Sequence, residues 1–139
     1  MSSERVKTSV HNFNLALASL EEFLAEPIRT NRDRAGIIQA FEFTYELAWK
    51  TFQKLAQDEG LHAASPRQAF ASALQIGLVP PEEESVWIAM MQDRNLTSHT
   101  YHESLATEIV QRVQSTYCPA LKAVLTRLQS TVTEPPPQP

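Results

Sequence analysis

The stretch TNRDRAGIIQAFEFTYELAWKTFQKLAQDEG, residues 30–60, decides the fold. Its apolar side chains recur at intervals of three and four residues, the spacing of one face of an α-helix. These positions are Ile38, Phe41, Tyr45, Ala48, Phe52 and Leu55, and the face is widened by Trp49 and Ala56. Thr30 and Asp33 resemble a capping box, and Gly60 suits the C′ position. The stretch therefore predicts one helix from about Arg32 to Glu59, roughly 40 Å long.

The same spacing predicts helices on both sides of this stretch. An N-terminal helix that ends near Pro27 is indicated by Val6, Val10, Phe13, Leu17, Leu20 and Leu24. Ser65-Pro66-Arg67-Gln68 combines a hydroxyl N-cap with proline at N1, which opens a short helix that ends near Gly77. A further helix starts at Pro80-Pro81-Glu82-Glu83-Glu84, where acidic residues suit the helix N-terminus.

A last long helix carries apolar residues from Leu105 to Leu128. Pro119 should kink or split it, because proline removes an intrahelical hydrogen bond. No segment alternates with a period of two for long enough to be a strand. The sequence therefore predicts an all-α fold, an up-and-down antiparallel four-helix bundle with an additional short helix.

Length, charge and cysteine content restrict the class of protein. The 139 residues suit one domain, which we place at residues 1–130, followed by a disordered proline-rich tail at residues 131–139. A net charge of −4 argues against a broadly basic surface that coats nucleic acid. The single cysteine, Cys118, excludes an intramolecular disulfide and a multi-cysteine zinc site. With no secretory signal and no apolar run long enough for a membrane, we expect a cytoplasmic protein.

The segment Arg94-Asn95-Leu96-Thr97-Ser98-His99-Thr100-Tyr101 carries the residue types that metal-independent RNA cleavage requires. An arginine guanidinium binds phosphate with a planar fork and stays charged, and a histidine moves protons near neutral pH. On a straight helix Arg94 and His99 would diverge by about 140°. A helix break near Ser98 would bring the two side chains together. A two-fold dimer would do so as well, if the Arg94 and His99 side chains of both chains line one cleft.

Structural roles would account for some of the same residues. Arg94 could form a salt bridge at the end of its helix, to Glu42 or Glu46, and His99 could be a capping or loop residue. Glu42 and Glu46 repel each other at i and i+4 unless a positive group faces them. In one interpretation Lys50, on the next turn, neutralises the charge of Glu46. In the alternative interpretation one of the two glutamates orients Arg94, and we expect it to be Glu46.

Two other kinds of site are not expected. His99 and His102 lie three residues apart next to Glu103, but a convergent third ligand for a metal is not evident. A nucleotidyltransferase needs a Gly-Ser element followed by paired aspartates, and none of the three glycines has these neighbours. We therefore expect neither a metal site, nor a cofactor, nor nucleotide transfer by this chain itself.

Three segments in order resemble the signatures of a known family. They are Phe41-Glu42-Phe43-Thr44-Tyr45-Glu46-Leu47-Ala48-Trp49-Lys50, then Ser65-Pro66-Arg67 leading to Gly77-Leu78, and then Asp93-Arg94-Asn95-Leu96-Thr97-Ser98-His99-Thr100-Tyr101. On these segments the chain resembles the nucleotidyltransferase substrate-binding proteins of the HEPN superfamily (higher eukaryote and prokaryote nucleotide-binding). The resemblance covers roughly Val6 to Leu128.

The resemblance implies a homodimeric helical bundle that is encoded beside a minimal (MNT-type) nucleotidyltransferase. Many such pairs are toxin–antitoxin modules, in which the HEPN protein is a metal-independent ribonuclease with an Arg, four to six residues, and a His. Arg94 would then be the phosphate and transition-state ligand and His99 the general acid or base. Asn95 and Thr97 would support them, and Tyr101 is where the partner would attach AMP.

A second function is compatible with the same sequence. A non-catalytic subunit could bind a nucleotide or another substrate and present it to a separate nucleotidyltransferase. A purely structural dimer is the last alternative. The sequence leaves open the RNA target, the cleavage position and whether the partner acts by AMP addition or by complex formation.

Overall fold

The computed structural model describes residues 3–99 and 102–133. They form the helices α1 Glu4–Ala25, α2 Asn31–Asp58, α3 Pro66–Gln75, α4 Glu84–Leu96, α5 Glu103–Arg112 and α6 Cys118–Thr133. Shorter elements are the 3-10 turns Pro81–Glu83 and Thr97–His99 and a π-helical turn, Val113–Tyr117, that joins α5 to α6. No strand occurs in these two ranges, so the predicted all-α class is confirmed. None of the described helices is long and apolar enough to cross a bilayer.

Helix α2 begins and ends within one residue of the predicted bounds. The hydroxyl of Thr30 accepts a hydrogen bond from the Asp33 N–H at 3.2 Å, and the Asp33 carboxylate accepts one from the Thr30 N–H at 3.0 Å. This is the predicted capping box. At the other end Gly60 has φ of +78°, a conformation that costs a side-chain-bearing residue energy. Local chemistry at both ends therefore sets the length of α2.

Helix α2 is also the centre of the bundle. The short link at residues 26–30 turns the chain back, so that α1 packs antiparallel to α2, while α6 packs on α1 and α5 on α2. Helix α4 is anchored by Trp87, whose ring lies 5.3 Å from that of Phe52 on α2 and 6.2 Å from that of Phe70 on α3. Trp87 is only 2% exposed, so this anchor fixes α4 beside α2.

The last helix differs from the prediction in two respects. The interruption expected at Pro119 is present, but it takes the form of the π-helical turn Val113–Tyr117, which separates α5 from α6 and ends two residues before the proline. Since Pro119 has no N–H, the carbonyl of Ser115, four residues earlier, cannot form its α-helical hydrogen bond. Ser115 lies within the wider π turn, so the irregular winding occurs where this bond is missing. Helix α6 also continues to Thr133, three residues into the predicted tail, because Val132 packs against the core. Residues 134–139 lie outside the described ranges.

Candidate functional site

The site is built around Arg94 in the last turn of α4. Its Nη1 lies 3.2 Å from Glu42 Oε2 on α2, and the two side chains are 35% and 33% exposed. Nη1 also donates to the hydroxyl of Thr97 at 3.1 Å. The guanidinium is therefore held on one side by an acid and a hydroxyl, while about a third of it faces solvent.

Thr97 connects the two partners of this ion pair. Its hydroxyl lies 2.8 Å from Glu42 Oε2 and 2.7 Å from the Arg94 carbonyl, and it has one proton to donate to these two acceptors. Thr97 is only 6% exposed and begins the 3-10 turn Thr97–His99. The chain therefore leaves α-helical winding at the residue that orients Arg94, close to the predicted break at Ser98.

The residue before Arg94 anchors the end of α4 from inside the bundle. Asp93 is 6% exposed and accepts two hydrogen bonds from Arg112, at 2.6 and 3.0 Å. The hydroxyl of Tyr117, in the π turn, donates to the same carboxylate at 2.5 Å. Burial, this hydrogen bond and the charge of Asp93 raise the pKa of Tyr117, whereas Arg112 lowers it. We call Asp93, Arg112 and Tyr117 the inner anchor.

An open cavity of about 480 Å³ lies on the exposed side of Arg94. We call it the Trp49 groove; its walls come from α2, the start of α3 and the end of α4. The lining residues are Tyr45, Glu46, Trp49, Ser65, Pro66, Arg67, Met91, Arg94 and Asn95. The groove thus contains two guanidinium groups and two aromatic rings. Burial, with a smaller contribution from Glu46, raises the pKa of Tyr45 to about 12, and the charge of Arg94 opposes this.

The structure gives the two glutamates different partners. Glu42 is the one paired with Arg94. Glu46, expected to support Arg94, accepts a hydrogen bond from Trp49 Nε1 at 3.0 Å and lies 3.6 Å from Lys50 Nζ. Glu46 therefore lines the same groove as Arg94 but holds the indole, which is the more structural of the two interpretations.

The remaining predicted residues lie near the end of α4. Asn95 lines the Trp49 groove beside Arg94. His99 is exposed and ends the 3-10 turn, and its carbonyl accepts from the His102 N–H at 3.3 Å. Tyr101, the predicted AMP-acceptor, lies outside the described residues. Within the described ranges, no group of three or more His, Cys, Asp or Glu side chains is arranged to hold a metal ion.

Sequence reasoning left three groups of this site unassigned. Arg67 was noted only as part of a helix start, Trp49 only as part of an apolar face, and the inner anchor not at all. A signal existed for the first two, since both lie within the family-like segments. The inner anchor joins residues 19 and 24 positions apart, and no local pattern indicates such contacts.

Comparisons with known proteins point to the family that the three sequence segments resemble. The profile of a family described as "Nucleotidyltransferase substrate binding protein like" matches residues 8–130. A Haemophilus influenzae protein named "Probable ribonuclease HepT" is 33% identical over 84 residues, 57% of this chain and 56% of that protein. The chain thus spans little more than half the length of this relative. A crystal structure from Thermus thermophilus matches with a TM-score of 0.77 at 38% identity, covering 84% of this chain and 98% of that chain.

Proposed function

Because this chain belongs to the nucleotidyltransferase substrate binding protein family, within the HEPN superfamily, we propose that it is a metal-independent ribonuclease. The observation that carries the proposal is the placement of Arg94, whose guanidinium is oriented by Glu42 and Thr97 at the wall of an open groove. A group held in this way needs little reorganisation to bind a phosphate, which is the condition for effective electrostatic catalysis. The relative named "Probable ribonuclease HepT" supports the same reaction class.

In the proposed reaction the 2′ oxygen of a ribose attacks the adjacent phosphorus as the bond from phosphorus to the 5′ oxygen breaks. Arg94 binds the phosphate oxygens and stabilises the charge that builds up on them. His99 takes the proton of the 2′-hydroxyl or gives one to the leaving oxygen. Asn95 and Thr97 support Arg94, and Glu42 takes the supporting position that the sequence suggested for Glu46.

A two-fold dimer is part of the proposal. The 3-10 turn winds by about 120° per residue, faster than the 100° of an α-helix. This winding does not cancel the divergence of about 140° expected between Arg94 and His99 on a straight helix. Two copies related by a two-fold axis would place two arginines and two histidines in one cleft. In this cleft Arg94 of one chain would act together with His99 of the other.

We further propose that the protein is the toxin of a toxin–antitoxin pair with an MNT-type nucleotidyltransferase, in the cytoplasm. The partner would neutralise it by attaching AMP to Tyr101. This part of the proposal is based on the sequence alone, because Tyr101 lies outside the described residues. Its basis is the position of Tyr101 in the motif, two residues after His99.

The mechanism predicts the behaviour of two variants and a chelator. His99→Ala should lower RNA cleavage by roughly 10²–10⁴-fold, and Arg94→Ala by at least roughly 10²-fold, with native helical circular dichroism. EDTA should leave the wild-type rate unchanged. Arg32→Ala removes one exposed guanidinium outside the groove and is the matched control. Full activity in both site variants, or loss of activity with EDTA, would contradict this mechanism.

A second function is favoured by the contents of the groove. Trp49 offers a ring, and Arg67 and Arg94 offer phosphate ligands, a combination that suits a nucleotide. In this alternative the chain binds a nucleotide for a separate nucleotidyltransferase and cleaves nothing. Micromolar binding of a free nucleotide by a folded protein that cleaves no RNA under any condition would favour it.

A further inference from the structure

The indole of Trp49 is a side chain of the groove that the proposed reaction does not use. Trp49 is half-buried and packs against the hydrophobic core. Its N–H donates to Glu46, whose other oxygen lies 3.6 Å from Lys50. The ring is therefore fixed in orientation from both its core side and its polar edge, while it lines an open cavity of about 480 Å³. That volume lies within the range of small-molecule sites.

Arg67 is the second group of the groove without a role in the reaction. It lies near the start of α3, one residue after Pro66, and its side chain is exposed. In residues 3–99 and 102–133 no acidic side chain forms an ion pair with it. By contrast, Arg34, Arg94, Arg112 and Arg127 each contact a carboxylate. Arg67 thus brings an uncompensated positive charge to a groove in a chain of net charge −4.

We propose that the Trp49 groove is a subsite for one unpaired nucleotide of an RNA strand. The base of this nucleotide stacks on Trp49, its phosphate pairs with Arg67, and the neighbouring phosphate is the one at Arg94. This inference rests on the proposed ribonuclease function and adds to it a specific substrate class, single-stranded RNA.

The chemistry of the groove favours an unpaired strand over a duplex. A base must leave its own stack before it can lie on a protein ring, so stacking sites select single-stranded segments. A free mononucleotide shares the base and the phosphate with an RNA strand. A free mononucleotide lacks the neighbouring phosphate of the strand, so it cannot contact Arg67 and Arg94 with two successive phosphates. It should therefore bind more weakly than an oligonucleotide.

The chain contains two tryptophans, which makes a direct test possible. Trp49 lines the groove, whereas Trp87 is 2% exposed between Phe52 and Phe70. We would titrate a single-stranded 2′-O-methyl oligoribonucleotide, which cannot be cleaved because its attacking hydroxyl is blocked. Tryptophan fluorescence should fall in the wild-type protein, because a base stacks on Trp49. In Trp49→Phe the remaining Trp87 signal should not change.

Affinity measurements test the two contacts separately. Trp49→Ala should weaken binding of the oligonucleotide roughly 5- to 150-fold, the usual effect of losing one stacked base. Arg67→Gln should reduce the slope of log K against log salt by about 0.7, the value for one phosphate contact with a single strand. Arg32→Gln removes the same charge from a different cavity and should leave the slope unchanged. Circular dichroism and thermal melting of each variant confirm that it is folded.

The outcomes separate the subsite from the reaction. An unchanged wild-type fluorescence signal would overturn the subsite, even if His99-dependent cleavage is observed. Equal quenching by duplex RNA or by AMP alone would overturn the assignment to a single strand. Quenching of Trp49 by the oligonucleotide, in a protein that cleaves no RNA, would support the subsite and contradict the ribonuclease.

Discussion

At the scale of single residues, the site depends on two neighbours with opposite surroundings. Asp93 is 6% exposed and faces Arg112 and Tyr117, whereas the side chain of Arg94 is 35% exposed and faces Glu42. Successive residues of a helix are rotated by about 100°. Fixing Asp93 inside the bundle therefore also fixes the direction in which Arg94 leaves the helix.

The pairing of Arg94 with Glu42 predicts different effects for the two glutamates. Glu42→Gln should leave the protein folded, because an ion pair that is about a third exposed contributes only about 1 kcal/mol or less. RNA cleavage should fall roughly 10- to 100-fold, since Arg94 loses its orienting charge. Glu46→Gln keeps an acceptor for Trp49 and should change the cleavage rate much less. The larger loss in Glu46→Gln would show that the sequence-based choice of Glu46 was correct.

Tyr101 has its own prediction, based on the motif. Co-expression with the MNT-type nucleotidyltransferase proposed as its partner should add the mass of AMP to the peptide that contains Tyr101. An adenylyl group there would bring bulk and a phosphate that competes for Arg94. Tyr101→Phe should retain ribonuclease activity and escape neutralisation. An unmodified Tyr101 in mass spectra, with normal neutralisation of the Phe variant, would favour simple complex formation.

At the scale of elements, the π turn links the end of α4 to the last helix. Tyr117 occupies the last position of the turn and is 1% exposed, with its ring stacked on Phe41 at 5.7 Å. Its hydroxyl reaches Asp93, beside Arg94. The turn therefore ends on the residue that ties the last helix to α4.

Removing the hydroxyl of Tyr117 should loosen this link. Tyr117→Phe deletes one buried hydrogen bond to a carboxylate, at a cost of about 1.5–3 kcal/mol of unfolding free energy. Arg112 still satisfies Asp93, so the variant should fold. Chemical denaturation measures the free energy, and Thr116→Val, on the exposed neighbour, is the control. An unchanged midpoint for Tyr117→Phe would contradict a role for the inner anchor in stability.

The raised pKa of Tyr117 adds a pH dependence to this prediction. Above about pH 10 the unfolded chain ionises its tyrosines, while Tyr117 in the folded protein keeps its proton. The folded state then binds more protons, so stability falls as pH rises. The advantage of the wild type over Tyr117→Phe should be complete below pH 10 and should shrink above it. A difference that is constant from pH 8 to 11 would contradict this.

At the scale of the whole molecule, the bundle leaves large apolar side chains exposed on α1 and α2. Leu15, Phe23 and Phe43 are 55%, 44% and 64% exposed and line one cavity of about 490 Å³. Exposed apolar groups that cluster in this way favour association. They are consistent with the predicted homodimer, which the composite cleft also requires.

Mixing two inactive variants tests the composite cleft. If each Arg94–His99 pair in the shared cleft joins the two chains, a heterodimer of Arg94→Ala and His99→Ala retains one of the two pairs. Re-equilibrated equal mixtures should then regain about a quarter of wild-type cleavage. Light scattering should show a dimer at micromolar concentration. A monomer, or a mixture that forms heterodimers and stays inactive, would contradict the composite cleft.

The sequence by itself determined the first three helices and their ends, and the family. Apolar spacing, the Thr30–Asp33 box, the Ser65-Pro66 start and Gly60 act within about four residues, so they can be identified without a fold. Residue types and order in the segment 93–101 likewise carry the prediction of where the proposed chemistry lies. An interruption of the last helix near Pro119 was also expected from the sequence, but not its form, a π turn that begins six residues before the proline.

Only the tertiary structure decided which side chains meet. Glu42 and Glu46 lie one turn apart on the same face of α2, a separation of about 6 Å along the helix axis. Which of them meets Arg94 therefore depends on where α4 ends alongside α2. The core packing of Trp87 sets that position. The same docking gathers Trp49, Arg67 and Arg94, from three helices, around one groove. Contacts of this kind depend on the axial position and rotation of whole helices, which no local pattern in the sequence encodes.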